Sequence, residues 1–332
     1  MTSFGILPDP SHLLGHDEAA QAFADILDGK ADDEALANFL VALSNRGETM
    51  VEIAAAAQAM RDRLIPIAAP KNAIDVCGTG GDGHHTLNVS TAVALVVAAC
   101  GVPVAKHGNR AASSKAGAAD TLEALGLNLD IAGEKAEEQL ADLGICFLFA
   151  AKHHPSMKYV MPIRKKLASR TIFNLMGPLA NPAGVTRQLV GIARPAYVPI
   201  YAEALHHLGT EHSQVVCGDE GLDELSMAGG NEVAIITPEG VQMQRSNAAD
   251  AGLPNYPVTA IRGGDPAHNA KALRGLLMGE TGAYRDAVLY NAAAALQVAG
   301  EVETLARGVE EAAEALDKGL ANTLLDCWIA YK

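Results

Sequence analysis

The sequence predicts an α/β protein in two parts: a small all-helical N-terminal domain, then a larger α/β domain with a mostly parallel central sheet and C-terminal helices. Three observations carry this. The 332 residues, 49% of them apolar, exceed what one hydrophobic core usually absorbs. Apolar residues recur at helical spacing up to about Pro70. From Ala73 onward, short apolar runs alternate with longer periodic ones, the signature of βαβ units. The expected helical domain is 1–70, with a helical insertion at about 155–180 packing on it; the α/β domain is 71–154 and 181–332.

The elements follow in order. "HDEAAQAFADILDGK", "DDEALANFLVALSNRG" and "TMVEIAAAAQAMRDRL" set Asp or Thr near a helix start and Gly near several ends. "AIDVCG", "VPVAKHG" and "ICFLFA" read as strands, separated by helices "STAVALVVAAC", "AADTLEALG" and "EKAEEQLADLG". After the basic helical segment "PSMKYVMPIRKKLASRTIFNLMGPLANP", strands resume with "RQLVGIA", "SQVVCG" and "VAIIT". "GAYRDAVLYNAAAALQVAG" and "VETLARGVEEAAEALDKGLANTLLDCWIAY" close the chain as long helices.

Composition narrows the function classes. A net charge of −14 argues against nucleic acid as a partner, because such binding draws on broad Lys/Arg surfaces. Any bound anion must be held by a local site. Cys77, Cys100, Cys146, Cys217 and Cys327 form no C-x-x-C pair, which fits a reducing cytoplasm better than a disulfide framework or a zinc site. The start "MTSFGILPDPSHLL" has no export pattern, and no run approaches the ~18 apolar residues of a membrane span.

"DVCGTGGDGHHTLNVST" contains Gly78-x-Gly80-x-x-Gly83, the spacing of a dinucleotide-binding turn. Two conditions for that reading fail. The next helix is expected only around Ser90, capped by Asn88 or Ser90, and the second strand ends in Lys106 and His107 where a ribose-binding acid belongs. A phosphate cradle fits better: the glycines allow close approach of backbone N–H groups, and "NVST" adds donors at a helix start. "KHGNRAASSKAGAAD" sets Lys106, Asn109, Arg110, Ser113, Ser114 and Lys115 at a second helix entrance. Two adjacent strand ends thus each offer an anion cradle, suited to a ligand with two separate phosphate groups.

"DVCGTGGDG", "NVST", "KHGNRAASSKAGAADTLEALG", "HHPSMKYVMPIRKKLASRTIFNLMGPLANP" and "GDEGLDELS" resemble the successive signature segments of the anthranilate phosphoribosyltransferase family. The resemblance runs from the helical start to the C-terminal helices. It implies the nucleoside phosphorylase/phosphoribosyltransferase fold and a homodimer formed through the helical parts. It also implies transfer of phosphoribose from phosphoribosyl pyrophosphate to anthranilate, in tryptophan synthesis.

For phosphoribosyl pyrophosphate, the resemblance implies Gly78, Gly81, Asp82, Thr86, Asn88, Val89, Ser90 and Thr91 on the first cradle. On the second it implies Lys106, His107, Gly108, Asn109, Arg110, Ala111, Ala112, Ser113, Ser114 and Ala118. Gly78, Asn109 and Arg164 match the anthranilate contacts, and a guanidinium suits a planar carboxylate. Ser90, Asp223 and Glu224 match the contacts to Mg2+, expected as two ions per monomer, which neutralise the leaving pyrophosphate. No residue is assigned as a certain catalytic acid or base, since an aromatic amine is already largely unprotonated.

Several readings stay open at this level. Asp219, Glu220, Asp223 and Glu224 also fit an acidic surface turn, although their place after a strand's carboxyl end favours a ligand site. Asp82 serves either the glycine loop or the metal waters. His107, His153 and His154 fit the lining of an aromatic pocket, while His84, His85, His206 and His207 read as loop and helix residues. Cys217 stands where the family commonly has His, and "SMAGGNEV" replaces a more usual turn. The alternatives are a non-enzymatic nucleic-acid-binding relative, a pyrimidine nucleoside phosphorylase and a NAD-dependent oxidoreductase. They are disfavoured respectively by the acidic balance with Asn109 and Arg164 present, by "KHGNR", and by Lys106.

Overall fold

A computed structural model describes residues 4–111, 115–167 and 169–332. The chain opens with α1 (His16–Leu27), α2 (Asp33–Arg46) and α3 (Met50–Arg61). Asp32 caps α2 by accepting from Ala35 N, and Thr49 and Glu52 form a reciprocal capping box on α3. Glu52 is fully buried, and the Arg46 guanidinium grips both its oxygens at 2.5 Å.

The sheet begins with β1 (Ile74–Gly78), α4 (Val89–Ala99), β2 (Val104–Gly108), α5 (Ala118–Leu125), α6 (Leu129–Glu134), α7 (Ala136–Leu143) and β3 (Ile145–Phe149). The short helices α8 (Ala150–His153), α9 (Met161–Leu167) and α10 (Met176–Leu179) follow. Then come β4 (Arg187–Gly191), α11 (Val198–His207), β5 (His212–Gly218), β6 (Asn231–Thr237) and β7 (Gly240–Ser246). The helices α12 (Pro266–Leu277), α13 (Ala283–Ala299), α14 (Leu305–Asp317) and α15 (Leu320–Ala330) complete the chain.

The strand order is β3-β2-β1-β4-β5-β6-β7; β1 to β5 are parallel, and β6 and β7 run antiparallel to their neighbours. Alternate side chains along the strands enter different cores, as the two-residue period requires. Leu189, Val216 and Val233 join the cluster built with α4, α12, α13, α14 and α15. Val190, Val215 and Ala234 join the cluster that contains α1, α2, α3, the 160–180 segment and α11. The helical part therefore shares one continuous apolar core with one face of the sheet.

Some details differ from the sequence expectation. α4 starts at Val89 with Asn88 at the N-cap position, but neither Asn88 nor Ser90 caps it through its side chain. The Asn88 side chain is used as a strut: its Oδ1 accepts from Thr121 Oγ1 at 2.5 Å and from Asn269 Nδ2 at 2.9 Å. The last helical stretch is two helices, broken at Gly319 with φ +70°. β7 escaped notice because its middle residues Gln242 to Arg245 are all exposed, so no alternation marks it. Among the described residues no helix is long and apolar enough to cross a membrane.

Candidate functional site

The chain leaves β1 toward β2 and β3, then returns to β4 on the opposite side of β1. The carboxyl ends of β1 and β4 are therefore the point where connections diverge and a crevice opens. The glycine loop starts there. Gly80 and Gly81 have φ of +71° and +80°, a region L-residues seldom adopt, so this turn depends on glycine. Thr79 N donates to Gly191 O at 2.9 Å, and Gly80 N donates to Asp223 Oδ2 at 2.6 Å.

The loop after β5 sorts its four acids. Asp219 pairs with Arg245 at 2.6 Å, and Glu220 accepts the Ser226 hydroxyl, so both serve the loop itself. Asp223 and Glu224 turn inward. They reach the crevice because β1 and β4 end in glycine: a Cβ at Gly78 would meet Asp223 Oδ2 at 2.2 Å, and one at Gly191 would meet Asp223 O at 1.6 Å. Glu224 Oε1 accepts Ser90 N at 3.0 Å, while Glu224 Oε2 is buried with no hydrogen-bond partner.

The electrostatics single out the same pair. Burial, reinforced by Asp82, pushes the Asp223 carboxyl up to about 7, and burial followed by Asp223 holds Glu224 well above its usual range. Lys106 is only 2% exposed and donates to Val76 O at 2.8 Å and Ser90 Oγ at 3.4 Å. Burial lowers the pKa of this lysine; Asp75 is the first opposing influence. Asp75, itself fully buried, accepts from His107 N at 3.1 Å and Asn181 Nδ2 at 2.8 Å. Lys106 is thus engaged within the sheet by Val76 O and Ser90 Oγ rather than standing as a free cation at the strand tip.

These donors fit a divalent cation. An orphaned buried carboxylate oxygen and two carboxyls kept proton-hungry by burial are groups that a metal ion would relieve. Among the described residues no group of three or more His, Cys, Asp or Glu is arranged to hold a metal by itself.

The second cradle is held by Asp120. Its Oδ2 accepts from Ala111 N and Gly117 N at 2.9 Å each, and its Oδ1 accepts from Arg110, which also pairs with Glu123. The Arg110 head group and the Ala111 N–H are thus engaged within the chain here. Asn109 is exposed and accepts from Arg110 N at 2.8 Å. Gly108 packs under the Phe147 ring, and Ala118 opens α5. Ala112, Ser113 and Ser114 lie outside the described residues.

Arg164 on α9 makes no ion pair among the described residues; its guanidinium donates to Met161 Sδ at 3.7 Å. Partial burial lowers its pKa. Such a guanidinium is poised for a carboxylate. His107 and His154 stand with Nε2 atoms 3.2 Å apart and rings tilted by 52°. His107 Nδ1 donates to Gly177 O at 2.9 Å, which leaves Nε2 as the acceptor for His154. Burial, then the neighbouring histidine, drives His107 down to about 3; burial, then His153, drives His154 down to about 4. His153 differs from the pair, since Nδ1 bonds Ile65 O at 2.8 Å and ties down the linker.

Gly78, Ser90, Lys106, Asp223 and Glu224 therefore converge, with Gly81 and Asp82 on the same loop. Thr86 bridges to Arg262, and Val89 and Thr91 are buried in the start of α4. Sequence reasoning missed Asp75 and Gly191. The available signals were an acid inside the strand "AIDVCG", where acids are depleted, and a glycine closing "RQLVG". Cys217, where a histidine was expected, is a core residue whose thiol burial pushes up to about 12.

Residues 11–64 match the model of a glycosyl transferase family's helical bundle domain, and residues 70–322 match that family's a/b domain. The chain is similar to the anthranilate phosphoribosyltransferase of Sphingopyxis alaskensis, 78% identical over 332 residues that cover 100% of both chains. Among solved structures, it is similar to anthranilate phosphoribosyltransferase from Thermus thermophilus, with TM-score 0.89, 43% identity and coverage of 97% and 96%. The enzyme from Saccharomyces cerevisiae in complex with PRPP and Mg has TM-score 0.86, 28% identity and coverage of 96% and 93%.

Proposed function

The chain belongs to the anthranilate phosphoribosyltransferase family, and from that premise we propose how its residues carry the reaction. The reaction moves the 5-phosphoribosyl group of phosphoribosyl pyrophosphate to the amine of anthranilate. It yields N-(5-phosphoribosyl)anthranilate and pyrophosphate, in tryptophan synthesis. The observation that carries the assignment of roles is the inward pair Asp223 and Glu224, folded on the glycine loop with one carboxylate oxygen left orphaned.

Asp223 and Glu224, with Ser90 as a further contact, hold Mg2+ in two ions per protomer; the use of Mg2+ itself is supported by the yeast relative's complex with PRPP and Mg. Mg2+ so held supplies positive charge to the pyrophosphate as the C1–O bond breaks. Gly78, Gly81, Asp82, Thr86, Asn88, Val89 and Thr91 form the first cradle around the leaving group. Lys106 to Ser114 and Ala118 form the second, around the remaining phosphate. Arg164 grips the anthranilate carboxylate, with Gly78 and Asn109 completing that site. The paired anchors align amine and C1, and the amine needs no strong base, in keeping with the neutral His107 and His154.

Residues 1–70 with 155–180 act as one domain and the rest as the other. The protein works as a cytoplasmic homodimer; the exposed Ile6 and Leu13 on the helical part support a partner there. The test follows the loss of anthranilate fluorescence on adding phosphoribosyl pyrophosphate, with and without Mg2+. Turnover that needs both, and that collapses in Asp223→Ala/Glu224→Ala, is expected. A rate indifferent to that double change would remove the pair from the metal role.

A further inference from the structure

Past the end of β4, three segments of the chain meet around one ring. Tyr197 donates its hydroxyl to the buried Glu48, from the loop between α2 and α3. The Arg170 guanidinium carbon lies 5.7 Å from the ring centroid and that of Arg194 lies 6.0 Å from it. Neither guanidinium forms an ion pair or hydrogen bond among the described residues, and Arg170 Nη2 is buried without a partner. Burial and then the like charge of Arg194 both work against Arg170, while Glu48 and, more weakly, Asp223 favour its charge. Two guanidiniums at one tyrosine ring, whose hydroxyl already engages the Glu48 carboxylate, leave an excess of positive charge.

We propose that Arg170 and Arg194 form an anion subsite that receives the departing pyrophosphate. This rests on the transferase reading above. Arg194 leaves β4 three residues after Gly191, against which the Asp223 backbone packs, and a Cβ at Gly221 would meet Ala193 O at 3.2 Å, so the subsite borders the loop that carries Asp223 and Glu224. A multiply charged diphosphate matches two planar donor forks, whereas a single carboxylate is served by Arg164 alone. The subsite also joins the two parts of the chain, since Arg170 follows α9 and Arg194 follows β4. Pyrophosphate bound there draws them together.

Calorimetric titration of inorganic pyrophosphate in Mg2+ buffer into the parent protein, Arg170→Gln and Arg194→Gln decides the matter. Thermal melts check the fold, and the exposed Arg194 gives a variant that keeps its packing. The expected result is a pyrophosphate Kd about 10-fold weaker or more in each variant, with a raised KM for phosphoribosyl pyrophosphate and an unchanged KM for anthranilate. Unchanged pyrophosphate affinity in both variants overturns the subsite while parent turnover leaves the reaction standing. A raised anthranilate KM with unchanged pyrophosphate affinity also overturns it. A parent protein that neither binds pyrophosphate nor transfers phosphoribose overturns the reaction itself.

Discussion

Replacing Gly191 by alanine tests whether the acid pair is positioned by close backbone approach. A Cβ there lies 1.6 Å from the carbonyl oxygen of Asp223 and 2.3 Å from its carbon. Nonbonded carbon and oxygen settle at roughly 3.3 Å or more, so the loop must retreat by more than about 1 Å, and no rotamer change relieves a backbone clash. That retreat pulls Asp223 from Gly80 N, at 2.6 Å, and Glu224 from Ser90 N, at 3.0 Å. Misplacement by about 1 Å costs on the order of 100-fold in rate, and overpacking costs about 1–3 kcal/mol of stability. The fluorescence assay should therefore show kcat down about 100-fold, with more Mg2+ needed for half-maximal rate. Gly229→Ala is the control, because nothing lies within 4 Å of a Cβ there. A Gly191→Ala protein with parental rate and parental Mg2+ dependence would refute the positioning argument.

Three further outcomes are expected. Glu224 is raised in the fold, so it stabilises the protein at low pH and loses that contribution as pH rises. Glu224→Gln should then raise the metal-free thermal midpoint at neutral pH while turnover falls at least about 100-fold; a lowered midpoint would contradict this. Arg164→Ala should raise the anthranilate KM about 10- to 100-fold, the loss of a charged hydrogen-bond pair, and leave the KM for phosphoribosyl pyrophosphate alone; equal effects on both would move Arg164 out of the acceptor site. His107 and His154, at about 3 and about 4, are lowered in the fold. Their contribution to stability is complete above the ordinary value of about 6.5 and is lost as pH falls toward those folded values. Proton NMR should find both rings neutral at about pH 5.5; a midpoint near the ordinary value would show that burial does not control them.

Much of this was legible in the chain itself. Periodicity marked α1 to α3 and the alternation through β3, because those segments bury one face and leave their spacing in the sequence. It failed for β7, which has no buried face to record, and for Gly319, where two helices abut without a polar interruption long enough to read as a loop. The motif residues Gly78, Ser90, Asp223 and Glu224 were visible as residue types that suit phosphate and metal.

What the sequence by itself determined is the inventory: helices before strands, glycines where phosphate needs backbone, acids and arginines for charge. What only the tertiary structure decided is which members of that inventory meet. Asp219 and Asp223 are four residues apart and chemically identical, yet one serves Arg245 and the other the crevice, because Gly78 and Gly191 leave room for Asp223 inside while Gly230 leaves room for the Asp219–Arg245 pair outside. Lys106 reads as a strand-end cation until the sheet closes over it and its ammonium donates to Val76 O. The physical reason is that charge and pKa depend on burial and on neighbours within a few ångströms, and those neighbours lie far along the chain, 47 positions apart for His107 and His154 and 143 for Gly80 and Asp223.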